Sequence, residues 1–165
     1  MRQMKEKELK TNVMRTLEQR KIPYTPHYYE HEEGAVDGVT VAQRLGQDPE
    51  RVFKTLVARG ASGGYYVFDI PVAENLDLKK AARAVGEKSV EMIHVAEITA
   101  LTGYVRGGCS PVGMKKLFPT VFHETADRYP AIMVSGGRIG TQVEVEPGAL
   151  LTLVRGKTAD LIVKE

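Results

Sequence analysis

VFKTLVARGASGGYYVFDIPV, residues 52–72, decides the class of the fold. Residues 52–60 alternate with period two, so Val52, Lys54, Leu56 and Ala58 fall on one face and Phe53, Thr55 and Val57 on the other. Both faces are otherwise largely apolar, which predicts a central strand. GASGG, residues 60–64, is a turn, and residues 65–72 return as a second strand. So tight a connection requires antiparallel pairing. A lysine on such a strand is expensive unless it has a partner, lines a cavity or snorkels to water from an edge.

Working outward, residues 4–21 predict a helix with Leu9, Val13, Met14 and Leu17 on one stripe, ended by Pro23. YTPHYYEH, residues 24–31, predicts a strand whose His27, Tyr29 and His31 face either offers a stacking surface or packs as an amphipathic edge. Thr40 is placed as the cap of a short helix that stops at Gly46, and Asp48-Pro49 opens a one-turn helix. Downstream, Asp77 caps a helix that points Leu78, Ala81, Ala82 and Val85 inward and ends at Gly86. A short helix over 95–102 ends at Gly103. Strands follow at 120–124, 131–137 and 141–147, then a helix begun by Pro147 and a last strand or turn at 158–163. Helices and strands interleave without a regular βαβ order, and two connections are hairpins. This predicts a mixed α/β (α+β) fold, one domain over residues 1–165, with a curved sheet and helices packed outside.

The chain has 165 residues and a formal charge of +2, which argues against a dedicated high-affinity nucleic-acid binder. One cysteine makes no internal disulfide, so a reducing cytoplasm is expected. MRQMKEKELK at the N-terminus lacks the apolar stretch of a signal peptide, and no run approaches the ~18 apolar residues that span a bilayer. The four histidines, His27, His31, His94 and His123, show no paired ligand spacing with Cys109, so no metal and no cofactor is expected.

Two glycine-rich segments stand out. Gly107-Gly108-Cys109-Ser110-Pro111 fits neither the P-loop nor the nucleophile-elbow pattern. Its glycines let the backbone turn tightly and aim N–H groups at an anionic oxygen, or else simply connect two strands. As a nucleophile, Cys109 would need a nearby base and a lowered pKa; a lone cysteine is more often a small buried residue. VSGGRIG, residues 134–140, ends a strand in Ser135, Gly136 and Gly137, and its Arg138 either holds a phosphate or carboxylate or sits in solvent beside a turn.

RVFKTLV, LDLKKAARAVG, GYVRGGCSPVGMKK and VSGGRIGTQVEVEP occur together in this order. Together they resemble the YbaK/EbsC group of aminoacyl-tRNA deacylases, relatives of the editing domain of bacterial prolyl-tRNA synthetase. The resemblance runs from about Lys21 to the end. It implies a small barrel-like mixed sheet wrapped by helices. It also implies trans-acting hydrolysis of mischarged Cys-tRNA(Pro), with the tRNA and prolyl-tRNA synthetase as partners and no membrane; the alternatives are a deacylase for another small amino acid such as Ala on tRNA(Pro) and a non-catalytic tRNA- or synthetase-binding module, and the oligomeric state, monomer or weak dimer, is left open. By resemblance, Lys54 is the essential lysine, and Gly107, Gly108, Cys109 and Ser110 form the catalytic loop that ends in Pro111. Tyr29, Thr55, Pro111, Ser135, Gly136 and Gly137 are the implied substrate-binding residues. In the family mechanism the substrate's own thiol attacks its ester, which leaves Cys109 as filler. The segment GAVDGVTVAQ, residues 34–43, departs from the group: Val36 or Asp37 stands where an aromatic residue can face the cleft.

Overall fold

The computed structural model describes residues 9–31 and 34–164. The first turn of the expected N-terminal helix, residues 4–8, lies outside them. Helix α1 runs over Asn12–Gln19, capped by Thr11, whose hydroxyl accepts the Met14 N–H at 3.1 Å. It buries Val13, Met14 and Leu17, whereas Leu9 stays 61% exposed ahead of the helix. Strand β1 follows at Tyr24–Tyr28, then α2 at Gly38–Leu45 and a 3-10 turn at Pro49–Arg51. The cap of α2 is Asp37, not Thr40: its carboxylate accepts both the Thr40 N–H and the Thr40 hydroxyl, because a carboxylate one turn earlier outcompetes a hydroxyl inside the helix.

The opening hairpin is β2, Phe53–Gly60, and β3, Tyr65–Pro71, antiparallel with Lys54 opposite Ile70 and Thr55 opposite Asp69. Helix α3, Leu78–Val85, is capped by Asp77 as expected and buries Ala81 and Ala82. Leu78, at the first position of the helix, is 42% exposed and not inward. A short strand β4, Val90–Met92, absent from the sequence reading, pairs with the end of β2. Then come α4 (Val95–Thr102), β5 (Thr120–His123), β6 (Ile132–Ser135), β7 (Thr141–Val145), α5 (Pro147–Val154) and β8 (Lys157–Ala159).

Five strands form a sheet in the order β4-β2-β3-β5-β8, antiparallel at the first two pairings and parallel at the last two. Three form an antiparallel sheet, β1-β7-β6. This agrees with the expected mixed α/β class. A single parallel bridge, Val52 to Met133, joins the two sheets. One core lies between them, where α1 and α5 pack Leu17, Leu150 and Val154 against Phe53, Phe122, Ile132 and Val143. A second fills the far side of the larger sheet under α3, around Phe68, Ile70, Ala81 and Leu161. Truncating Leu17 or Phe122 to alanine would cost about 2–5 kcal/mol.

The seam between the sheets positions the site. β2 is bridged to β6 only at Val52, and β4 joins β2 only from Ala58 onward. Lys54 lies in the interval, on a strand central to its sheet yet open on one side.

Candidate active site

A cavity of about 680 Å³ occupies this seam, within the size range of small-molecule sites. β2 lines it from Val52 to Leu56, the second sheet contributes Val134, Ser135, Thr141 and Gln142, and the mouth is framed by Tyr29, the segment 35–38, and Arg106, Gly107 and Cys109.

Lys54 is half-buried, and its amine makes no hydrogen bond or ion pair with the described residues. Burial pulls its pKa below the ordinary lysine value, and the Glu74 charge opposes the shift. Such a cation is available to a ligand.

The glycine loop is held by the other sheet. Val105 C=O accepts the Gly108 N–H at 3.0 Å, closing a turn with Arg106 and Gly107 at its corners. Gly107 takes φ +88°, and a Cβ there would lie 2.6 Å from the Ala35 Cβ; a Cβ on Gly108 would meet the Arg138 backbone at 3.0 Å. Position 107 therefore requires glycine, and a side chain at Gly108 would press on backbone that has to give by a few tenths of an ångström. Ser135 Oγ donates to the Gly108 carbonyl at 2.9 Å and accepts the Gly137 N–H at 3.1 Å. The SGG segment is thus a brace for the loop. The Gly108 N–H is already used in the turn, which leaves Gly107 and Cys109 as the cavity-lining loop residues whose N–H groups have no protein acceptor among the described residues.

Of the residues drawn from the sequence, Lys54, Thr55, Tyr29, Gly107, Cys109 and Ser135 line the cavity. Gly108, Ser110, Pro111, Gly136 and Gly137 lie behind the lining: Ser110 is fully buried with its Oγ accepting the Val112 N–H, and Gly136 closes the β6–β7 turn onto Thr141. His27 is hydrogen-bonded to Glu144 at 2.8 Å and, like His31, lies outside the lining, so of the three-residue stacking face only Tyr29 borders the cavity. Burial, with a smaller push from Asp69 once that carboxyl ionises, raises the Cys109 thiol to about 12, so at neutral pH it is protonated and a poor nucleophile.

Arg106 and Gln142 were not singled out in the sequence. Gln142 forms a reciprocal amide pair with Gln47, at 2.8 and 3.1 Å. Arg106 carried one signal, a basic residue directly before a Gly-Gly turn. Arg138, which did look like an anion holder, donates instead to Thr141 Oγ1 and the Leu9 carbonyl.

His123, Glu124 and Asp160 bring ligand atoms within 4.8 Å of one another, away from the cavity lining. His123 Nδ1 accepts the Leu161 N–H at 3.1 Å, and burial lowers the ring's pKa. The neutral ring therefore carries its proton on Nε2, which is a donor there and not a metal ligand.

Fold and site define an editing-type domain, and comparison agrees: the model of the aminoacyl-tRNA editing domain matches residues 32–153, and the chain belongs to that family. The resemblance drawn from its motifs holds. Among curated proteins, the chain is 47% identical over 161 residues, 98% of each chain, to EbsC of Enterococcus faecalis, provisionally named a Cys-tRNA(Pro)/Cys-tRNA(Cys) deacylase. Among solved structures, one described provisionally as a trans-editing enzyme for prolyl-tRNA synthetase is 28% identical, with TM-score 0.78 over 92% of this chain and 95% of that one. A scaffold used for computational epitope-backbone grafting is 29% identical, with TM-score 0.78 over 93% and 96% of the two chains. No helix among the described residues is long and apolar enough to cross a membrane.

Proposed function

We propose that this protein is a trans-acting deacylase that clears mischarged Cys-tRNA(Pro), working as one catalytic unit beside prolyl-tRNA synthetase. The observation that carries the reading is the half-buried amine of Lys54, without a partner among the described residues, inside a cavity lined by the braced Gly107–Cys109 loop. The bridged sheets serve as the curved, barrel-like wall of that cavity.

An aminoacyl ester is already activated, so the site needs to position it and stabilise charge. The substrate's own thiol attacks its carbonyl carbon, the new S–C bond forms as the ester C–O bond breaks, and the thiol proton ends on the ribose oxygen. The product is a thiolactone that water later opens. Because the attack is intramolecular, effective molarity supplies much of the acceleration. The Cys109 N–H is suited to the developing oxyanion, and Lys54 to the charge on the departing oxygen. Cys109's own protonated thiol has no part. Serine offers a poorer nucleophile and alanine none, which gives the selectivity.

The test is deacylation of Cys-tRNA(Pro), Ala-tRNA(Pro) and a Ser-tRNA side by side, with and without the synthetase, for the wild type and Lys54→Ala. Hydrolysis of the cysteinyl species alone, with a loss of about 100-fold or more in Lys54→Ala, is expected. Hydrolysis of Ala-tRNA(Pro) would require an activated water and a different substrate, and no hydrolysis of any species would leave a binding module.

A further inference from the structure

Among the described residues, the cavity lining contains two cations, Lys54 and Arg106, and one carboxylate, Asp37. Both oxygens of Asp37 are taken by Thr40, at 3.0 and 2.9 Å, in capping α2. With two cations against one carboxylate, the described lining carries a net positive formal charge. Its two cations differ in depth: Lys54 is half-buried on β2, and Arg106 is exposed at the mouth.

Arg106 also differs from the arginines around it. Arg51 is held by Glu144 and the Ala131 carbonyl, Arg44 by the Glu30 carbonyl and Arg138 by Thr141 and Leu9. Arg106 makes no hydrogen bond or ion pair with the described residues, yet its backbone is fixed. It is a corner of the turn closed by Gly108 N–H to Val105 C=O, next to Gly107 against Ala35, with Ser135 bracing Gly108. A guanidinium mounted on a rigid turn over a pocket mouth, with its five donors unused, is built to receive a planar pair of anionic oxygens.

We propose that Arg106 binds the phosphate on the 5′ side of the substrate's terminal nucleoside, at the cavity mouth, leaving Lys54 to the ester inside. This rests on the deacylase reading, which makes the substrate a nucleotide ester with a phosphate one sugar away from the scissile bond. Arg106 then sets how deep the acceptor end enters and contributes through ground-state binding.

The experiment measures kcat and KM on Cys-tRNA(Pro) from 50 to 200 mM salt for the wild type, Arg106→Ala and Arg106→Lys, a range over which one single-strand phosphate contact changes affinity about 2.6-fold. For Arg106→Ala the expected result is about a tenfold rise in KM at the lowest salt with kcat little changed, and a slope of log(kcat/KM) against log[salt] shallower by about 0.7. Arg106→Lys, which keeps the charge and loses the fork, restores the slope and only part of the affinity. A second arm compares the 3′-cysteinyl ester of adenosine with that of its 5′-monophosphate. The wild type favours the phosphorylated ester, and Arg106→Ala brings that preference ratio toward one. An active wild type with an unchanged slope in Arg106→Ala, or with no preference between the short esters, overturns the inference and leaves the deacylase reading intact. A wild type inactive on every ester overturns both.

Discussion

Asp69 should make this protein less stable as pH rises from acid to neutral, and replacing it with asparagine should abolish that dependence. The carboxyl sits on β3 opposite Thr55, with no exposed surface. One oxygen accepts the Thr55 hydroxyl at 2.5 Å, and the other is buried without a partner. Burial raises its pKa from 3.8 to about 8, with the Thr55 hydrogen bond pulling the other way. The folded state therefore holds the proton more tightly than the unfolded chain. That contribution to stability is complete below the unfolded value and disappears as pH climbs through the folded one. Between the two, stability falls by about 1.4 kcal/mol per pH unit, or about 3 kcal/mol from pH 5 to pH 7. Denaturant unfolding of the wild type and Asp69→Asn across pH 5–9 reads this directly, because the difference between the two curves cancels the other titrating groups. Asparagine keeps the oxygen that accepts from Thr55; its extra N–H groups add an offset that does not vary with pH. The gap should move against the wild type up to about pH 8 and then level off. A gap constant from pH 5 to 7.5 would mean that Asp69 is ionised in the folded protein and would refute the reasoning.

Cys109→Ala should keep deacylase activity within a few-fold, and iodoacetamide should alkylate the wild-type thiol slowly at pH 8, since burial and Asp69 hold it protonated to about 12; abolished activity would revive a protein nucleophile. Gly107→Ala should lower kcat/KM sharply, because it combines a positive φ with a Cβ contact of 2.6 Å to Ala35. Gly63→Ala is its control: φ is +97° with nothing within 4 Å, so it should cost about 1–2 kcal/mol of stability and leave the deacylation rate alone. The alkaline loss of Lys54-dependent activity should begin at lower pH than for an ordinary lysine, because burial disfavours its charged form; a pH profile set by a lysine at 10.5 would contradict this.

The hairpin 52–72 was legible because alternation and a glycine turn are local signals, and its partner β6–β7 was legible for the same reason. Caps written by Asp77 and Gly86 were legible too. The strand β4 was not: three residues pairing with a distant strand end leave no periodic trace. The cap of α2 was misplaced by three residues because Asp37 and Thr40 are both cap-competent types and only the backbone decides between them. At the site, Lys54 announced itself as a charge on an apolar strand. Arg106 showed only as a basic residue before a glycine pair, and Gln142 and the division of labour within the glycine loop did not show at all, because each of those two depends on which distant group it meets.

That dependence explains why the two glycine segments read as separate features and behave as one. The loop at 107–109 comes from the chain between α4 and β5, and the brace at 135–137 from the β6–β7 turn. Ser135 joins them through the Gly108 carbonyl. The lysine they face stands on the other sheet, on the stretch of β2 between the Val52–Met133 bridge and the first β4 pairing. A site assembled across a seam is only as rigid as the bonds that cross it. Among the described residues these include the Val52–Met133 bridge, the Ser135 hydroxyl, the Arg51 guanidinium held by Glu144 and the Ala131 carbonyl, and the packing of Phe53 among Ile132, Val134 and Val143. Ser135→Ala removes one crossing bond and leaves the Gly108 carbonyl and Gly137 N–H without that partner, at about 1–3 kcal/mol. Because the loop and not the core bears that cost, the activity change belongs mainly in kcat, through a displaced oxyanion donor, while the unfolding temperature falls only by the several degrees that cost implies. An unfolding temperature that dropped in step with activity would place the serine in the core of the fold instead of at the hinge of the site.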